Sequence, residues 1–174
     1  MNSKDKLVEF KLPTYRGRNI FIKTLLNNSL LRYYGVDNSD YTNFILPNKE
    51  KVYDIVGGIK IKIIDTVEKK VLLYLITVDA KYRKQKAGST IMNWLVDVSN
   101  KTGYTIILTP SSIYNTSLTG SHLFDKLGTM ADNKSHKIPV KDLFKWYSIF
   151  GFKPDGKDED GKKQMKYTPP EPQE

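Results

Sequence analysis

The 174-residue sequence contains no cysteine, which excludes disulfide bonds, thiol catalysis and cysteine-ligated zinc sites. It has no apolar run close to the roughly 20 residues that cross a bilayer, and residues 1–6 lack the apolar core of a secretory signal. We therefore expect a cytoplasmic protein with no membrane segment and no metal site. Acidic residues are also few, 19 against 28 basic ones, so the formal net charge is +9. Such a charge attracts anions: nucleic acid, acidic proteins or a phosphate-rich cofactor.

The composition is that of an ordinary globular domain. Hydrophobic residues make up 39% of the chain and charged residues 27%, enough to bury a core. We expect a single domain over residues 1–167, with a long loop or insertion at 111–137 and a disordered, proline-rich tail at 168–174. A monomer or a homodimer would be compatible with this organisation.

Apolar periodicity in the first half of the chain predicts three kinds of element. Alternation over residues 8–12 predicts a first strand, and helical spacing over 19–34 predicts a helix that ends at Gly35. Residues 44–46 suggest a short edge strand. Residues 55–78 predict an antiparallel hairpin, whose first strand has a buried isoleucine face and a solvated lysine face.

The second half predicts a parallel crossover followed by a hairpin. A helix begins near residue 87 and ends at Gly103, and a buried strand follows over 104–109; a strand, a helix and a strand in this order imply parallel strands. A helix then begins at Pro139 and ends at Gly151, before a last hairpin over 152–167. The predicted fold class is α/β (α+β): one mixed, mostly antiparallel twisted sheet of about six to seven strands, flanked by helices.

A basic loop connects the buried strand at 71–78 to the next helix. The first turn of a helix leaves backbone N–H groups unbonded and carries partial positive charge, so a pyrophosphate can bind there. Gly88 leaves room for a close approach, and Arg83, Lys84 and Lys86 add positive charge. The loop therefore indicates an anion-binding site, with a merely solvated basic turn as the alternative.

Residues 78–89 resemble the acetyl-CoA loop of the GNAT superfamily of N-acetyltransferases. In that motif Arg or Gln is followed by two residues, a Gly, any residue, and Gly or Ala. Arg83 matches the first position and Gly88 the last, whereas Lys86 replaces the usual first glycine. We expect this lysine either to crowd the pyrophosphate or to take a positive φ, at a cost of roughly 1 to 2 kcal/mol.

Residues 146–152 resemble the late Tyr-x-x-x-Gly-Phe element of the same superfamily. In that element the tyrosine lies near the cofactor sulfur and protonates the departing thiolate, and Tyr147 is the matching position. The alternative for Tyr147 is a core aromatic ring with its hydroxyl at the surface. The resemblance covers roughly residues 55–167.

The resemblance implies transfer of an acetyl group from acetyl-CoA to a primary amine by direct attack, with coenzyme A as product. It implies that the strands ending at Val78 and Leu108 splay apart, and that a strand amide near Val78 holds the oxyanion. The residues implied to bind the coenzyme are Thr77, Val78 and Asp79 for the pantetheine arm, and Arg83, Lys84, Gln85, Lys86, Ala87, Gly88 and Ser89 around the pyrophosphate.

Several points stay open at the level of sequence. The amine acceptor is unidentified, and Asp79, Asp65, His122 or an ordered-water relay are the options for a general base. The loop at 111–137 is expected to act as a lid or a substrate-recognition loop. The alternative function is a catalytically weak or inactive module of the same fold that binds nucleic acid or an acidic protein, although the chain has no recognisable nucleic-acid-reading motif. A different acyl donor is a third possibility.

Overall fold

The computed structural model describes residues 19–51, 54–79, 82, 86–110 and 139–171. These residues form three helices and seven strands. The helices are α1 (Ile20–Asn27), α2 (Ala87–Thr102) and α3 (Val140–Ile149). The strands are β1 (Arg32–Val36), β2 (Thr42–Pro47), β3 (Ile55–Asp65), β4 (Lys70–Val78), β5 (Thr105–Leu108), β6 (Lys153–Lys157) and β7 (Lys163–Tyr167). The predicted strand at 8–12, the long loop at 111–137 and residues 172–174 of the tail lie outside the described residues.

All seven strands belong to one sheet, in the order β1-β2-β3-β4-β5-β7-β6. Strands β4 and β5 are parallel and are connected through α2, while the other neighbouring pairs are antiparallel. The predicted mixed, mostly antiparallel sheet flanked by helices is thus confirmed. The hairpin over 55–78, the crossover and the final hairpin are confirmed as well. No helix within these described ranges is both long and apolar enough to cross a membrane.

Helix α1 is shorter than the sequence periodicity predicted. It ends at Asn27, and the hydroxyl of Ser29 donates a hydrogen bond to the carbonyl of Leu25 just beyond that end. Leu31, Tyr33 and Gly35 are then buried at every second position, which is the spacing of a strand. The predicted helix to residue 34 was therefore wrong, because Tyr33 and Gly35 belong to β1.

Strand β2 also differs from its prediction as an edge strand. It pairs with β1 on one side and with β3 on the other. The edge of β2 that was expected to be free is paired with β1, whose residues were predicted to be helical. The prediction that β2 is an edge strand was therefore wrong because β1 had been predicted as a helix.

One face of the sheet packs against α1 and α2 to form the core. The largest side chains with almost no exposure there include Phe21, Leu25, Phe44, Ile59, Ile61, Ile91, Leu95 and Ile106. The opposite face of β3 was predicted to be solvated, but Lys60 is only 1% exposed. Its ammonium group lies 3.1 Å from a carboxylate oxygen of Asp37, which is the reason a lysine is tolerated there.

Candidate active site

Strands β4 and β5 pair only at their beginnings. The paired residues are Lys70 with Thr105, Val71 with Ile106, and Leu72 with Ile107. The ladder stops at Leu72, whereas β4 runs on to Val78 and β5 ends at Leu108. A gap therefore opens between residues 73–78 of β4 and the end of β5. This confirms the splayed strand pair.

A β-bulge lies where the gap begins. On β3, Lys60 pairs with Leu75 and Ile61 pairs with Leu73. Tyr74 is therefore an extra residue that has no pairing partner on β3. A bulge bends its strand and increases the local twist. The bulge at Tyr74 therefore helps to turn the second half of β4 away from β5.

The register of β4 decides which backbone groups face the gap. The N–H of Asp79 donates to the carbonyl of Val56 beside β3 at 2.8 Å. Successive residues of a strand direct their backbone groups to alternate sides, so Thr77 also faces β3, while Val78 and Ile76 face the gap. Of the three residues expected at the pantetheine arm, Val78 has the suitable direction. Sequence reasoning missed Ile76, because its direction depends on the pairing register.

Thr77 and Asp79 are buried, at 5% and 4% exposure. The Thr77 hydroxyl has no hydrogen-bond partner among the described residues. The carbonyl of Asp79 accepts from the N–H of Tyr82 at 2.9 Å, which closes a turn at the entrance of the basic loop. Asp79 is thus part of the turn that leads from β4 into the loop.

Tyr82 is held by hydrogen bonds to two distant residues, and sequence reasoning did not single it out. Its hydroxyl donates to a carboxylate oxygen of Asp54 at 2.8 Å and accepts from the Asn48 amide at 3.0 Å. Both partners lie between β2 and β3, more than 25 positions earlier in the chain, so no local pattern pointed to them. Arg83, Lys84 and Gln85 lie outside the described residues.

Helix α2 begins without a side-chain cap. Lys86 is the N-cap residue, with φ 59° and ψ 26°, and it makes no side-chain capping hydrogen bond. The positive φ expected for Lys86 is confirmed. The first N–H groups of α2, from Ala87 to Ser89, have no partner within the helix. We call the N-terminal turn formed by residues 86–89 the cradle.

Gly88 keeps space open in the cradle. A Cβ placed on it would lie 3.4 Å from Cζ2 of Trp146 and 3.7 Å from Cγ2 of Val78, which are ordinary contact distances. The folded chain would accept a small side chain at this position, so the fold alone does not require glycine here. Glycine leaves the backbone amides open to a closely approaching ligand, and in this respect the cradle is compatible with a diphosphate.

Tyr147 reaches the gap from α3. Its side chain is 7% exposed, and its ring packs against those of Trp146 and Phe152, with centroids 5.0 Å and 6.0 Å away. The turn after α3 passes through Gly151 with φ +97°, a conformation that favours glycine. The N–H of Phe152 then donates to the Tyr147 carbonyl at 3.3 Å, which fixes the end of the helix.

A cleft of about 860 Å³ extends from the gap across the sheet. Tyr147 and Leu108 line one side, and Tyr74 lines another together with Tyr41. The two tyrosine rings stack at 4.4 Å, and the Lys62 ammonium lies 5.5 Å from the Tyr41 ring centroid. Burial raises the pKa of Tyr41, and the charges of Tyr74 and Asp37 add to this rise.

The β6–β7 turn forms the third side of the cleft. The Thr109 hydroxyl donates to Oδ2 of Asp158 at 2.9 Å, and the N–H groups of Asp160 and Lys162 donate to Oδ1. The hydrogen bond from Lys162 contributes most to a lowered pKa of Asp158, and those from Thr109 and Asp160 add to it against some desolvation. Thr109 and Asp158 are 49 positions apart, so this tether was not visible in the sequence.

The structure places Asp65 and Asp79, two of the residues considered for a general base, at opposite ends of β4. Asp65 accepts the N–H groups of Val67 and Glu68, so it stabilises the tight turn between β3 and β4. Asp79 lies in the buried turn after β4, and His122 is outside the described residues. The structure therefore brings Tyr147, Val78 and the cradle together, and it leaves Asp65 at the hairpin turn.

The chain is similar to a known protein family. The model of the acetyltransferase (GNAT) family matches residues 23–128, more than half of the chain. A comparison with curated proteins gave no match.

Three solved structures are similar to this chain. The ribosomal-protein-S18-alanine N-acetyltransferase from Escherichia coli is 18% identical, with a TM-score of 0.47 over 87% of this chain and 79% of that one. Arabidopsis thaliana Naa50, in complex with a bisubstrate analogue, is 17% identical, with a TM-score of 0.46 over 72% of each chain. An aminoglycoside 6'-N-acetyltransferase complexed with coenzyme A is 19% identical, with a TM-score of 0.46 over 78% of this chain and 77% of that one.

Proposed function

The chain belongs to the acetyltransferase (GNAT) family, and we propose that it is an N-acetyltransferase that moves an acetyl group from acetyl-CoA to a primary amine by direct attack. The observation that carries this proposal is the position of the gap. The β4–β5 ladder stops at Leu72, and the strand that continues past it leads to an uncapped helix N-terminus. An extended ligand with a diphosphate at one end suits both features.

The coenzyme would be held mainly by backbone groups. The N–H groups of residues 87–89 would donate to the diphosphate, and the helix dipole would add to the attraction. Ile76 and Val78, which direct their backbone groups into the gap, would bond the amide groups of the pantetheine arm. When bound, acetyl-CoA supplies an acetyl thioester whose carbonyl carbon a neutral amine attacks.

Two residues of the chain would assist the transfer. A backbone N–H of β4 near Val78 that is directed into the gap would stabilise negative charge that develops on the acetyl oxygen. Tyr147 would hold a proton at its hydroxyl oxygen and deliver it to the sulfur as the carbon–sulfur bond breaks, and the proton lost by the attacking nitrogen would restore the hydroxyl. General-acid assistance of this kind is typically worth roughly 10²- to 10⁴-fold in rate.

The cleft beside the gap would receive the amine. Apolar side chains line its sheet side, including Leu72, Leu73, Leu75, Ile76, Ile107 and Leu108. An amine that enters these surroundings loses hydration, which lowers its pKa and favours the neutral form. The neutral form carries the lone pair that the reaction requires, so the cleft itself would assist the attack.

A matched pair of variants tests coenzyme binding at the cradle. Ser89→Glu places a carboxylate beside the amides, whereas Ser89→Gln has nearly the same shape without charge. A negative charge in the first turn favours the helix but repels a diphosphate. We expect acetyl-CoA to raise the melting temperature of the parent protein and of Ser89→Gln, and to have much less effect on Ser89→Glu.

Mass spectrometry of the purified protein for bound coenzyme A would complement this measurement. An assay of thiol release over several classes of amine would then identify the acceptor. Absence of a thermal shift at millimolar acetyl-CoA, together with absence of thiol release, would contradict the proposed function.

A further inference from the structure

The cradle, the end of β4 and helix α3 meet at the indole of Trp146. A Cβ on Gly88 would lie 3.4 Å from Cζ2 and 3.6 Å from Cη2 of this ring, and 3.7 Å from Cγ2 of Val78. Gly88 belongs to the cradle and Val78 borders the gap. The edge of the indole therefore lies at the passage between the two.

The same ring packs against its neighbours on α3. The centroid distances are 5.0 Å to Tyr147, with planes at 63°, and 5.1 Å to Phe150, with planes at 77°. Edge-to-face pairs of this kind have a preferred geometry. A rotation of the Trp146 ring therefore changes the packing of the Tyr147 ring, which lines the cleft.

We propose that Trp146 is a positioning residue, which couples occupation of the cradle to the orientation of Tyr147. The inference rests on the proposed function, because it needs a ligand that extends from the cradle into the gap. Such a ligand passes both Gly88 and Val78, and the indole edge fills the space beside them. When acetyl-CoA binds, the ring turns away from Gly88, and the Tyr147 ring that packs against it is reoriented.

The shape of the side chain separates the two contacts. Cζ2 and Cη2, the atoms near Gly88, belong to the outer, six-membered ring of the indole. The smaller phenyl ring of phenylalanine does not reach the positions of these atoms. Trp146→Phe therefore retains an aromatic contact with Tyr147 while it reduces the contact with the cradle. Trp146→Ala removes both contacts.

Tryptophan emission measures the coupling directly, since the chain has only two tryptophans. Trp94→Phe leaves Trp146 as the reporter, and Trp146→Phe leaves Trp94 as the matched control on α2. Acetyl-CoA binding is measured independently by calorimetry on each variant. We expect a saturable change in Trp146 emission with the calorimetric Kd, and no comparable change in Trp94 emission.

Kinetics gives a second readout that a purely structural role would not produce. We expect Trp146→Phe, which keeps an aromatic contact with Tyr147 but loses the contact with the cradle, to bind acetyl-CoA at least as tightly as the parent and to lose severalfold in kcat, because occupation of the cradle no longer orients Tyr147. Trp146→Ala should lose about tenfold or more in kcat without weaker coenzyme binding, because Tyr147 is no longer oriented. If Trp146→Ala does not fold, the emission titration on the Trp94→Phe variant decides the question.

Calorimetric binding without any change in Trp146 emission would overturn the coupling and leave the proposed function intact. A kcat for Trp146→Ala equal to that of the parent would overturn it in the same way. Absence of calorimetric binding to the parent protein would instead contradict the proposed function, and the coupling with it.

Discussion

The ammonium of Lys60 lies 3.1 Å from a carboxylate oxygen of Asp37, and both side chains are only 2% exposed. The other carboxylate oxygen accepts from the N–H groups of Ser39 and Tyr41 at 2.9 Å and 3.1 Å. Burial alone would raise the pKa of Asp37, but the hydrogen bonds from Lys60, Tyr41 and Ser39, with a further one from Asn43, outweigh it and lower the pKa. The pair attaches the loop after β1 to the middle of β3, close to Tyr41 and Tyr74, which line the cleft.

Removal of Lys60 should destabilise the fold strongly. Lys60→Met leaves the Asp37 carboxylate buried without its main partner, so the free energy of unfolding should fall by roughly 3 to 5 kcal/mol. Urea unfolding measures this. Lys62→Met, two positions along the same strand and partly exposed, is the control and should lose much less. The double variant Lys60→Met/Asp37→Asn, whose amide oxygen can still accept the N–H groups of Ser39 and Tyr41, should regain part of the loss, and failure to regain any would show that the buried charge is not the cause.

The same pair predicts a dependence of stability on pH. Because the folded-state pKa of Asp37 is below its unfolded value of about 3.9, the carboxylate contributes stability above that value. The contribution is lost as the pH falls through the folded-state pKa. The difference in unfolding free energy between the parent and Asp37→Asn should therefore be constant from neutral pH down to about pH 5 and should shrink below about pH 4. A difference that grew at acid pH would contradict the assigned direction.

Gly88→Ala should separate coenzyme binding from stability. Alanine is favoured over glycine inside a helix by about 1 kcal/mol, and its Cβ would make only ordinary contacts with Trp146 and Val78. We expect equal or higher stability, together with acetyl-CoA binding that is weaker by about tenfold or more. Gly103→Ala is the matched control at the other end of α2, where φ is +80°. It should lower stability by about 1 kcal/mol and leave coenzyme binding unchanged.

Tyr147→Phe should affect the transfer step more than coenzyme binding. The substitution keeps the ring that packs against Trp146 and Phe152 and removes only the hydroxyl. We expect kcat to fall by roughly 10²-fold and the Kd for acetyl-CoA to change little. Tyr167→Phe is the control, since that hydroxyl donates to Asn100 at 2.7 Å at an exposed site. Equal kcat for the two variants would remove the acid role from Tyr147.

Thr109→Val should act on the acceptor side of the site. The substitution removes the hydrogen bond that holds Asp158 at the end of β5 and so releases the β6–β7 turn beside the cleft. We expect the KM for the amine to rise several-fold while the Kd for acetyl-CoA stays constant, as measured by steady-state kinetics and calorimetry. Thr105→Val, at the opposite end of β5, is the control. A change confined to coenzyme binding would contradict the assignment of this turn to the acceptor cleft.

Much of the fold was predictable where the apolar periodicity of neighbouring residues is enough to define a helix or a strand. The alternation in β3, the apolar face of α2 from Ala87 to Val98 and the glycines after α2 and α3 are local features. The prediction was wrong where two periods overlap. Tyr33 fits a helix that starts at Asn19, and it also fits a strand in which Leu31, Tyr33 and Gly35 occupy every second position; only the pairing of β1 with β2 decides between them.

The sequence by itself determined the order of the elements from β3 to β7, the basic residues before α2 and the tyrosine on α3, because each depends on residues a few positions apart. The tertiary structure alone decided where the β4–β5 ladder stops, which backbone groups of β4 face the gap, and the contacts of Lys60 with Asp37, Thr109 with Asp158 and Trp146 with Gly88. These join residues distant in the chain. Strand order and register bring them together, and these depend on the packing of the whole sheet rather than on any local pattern.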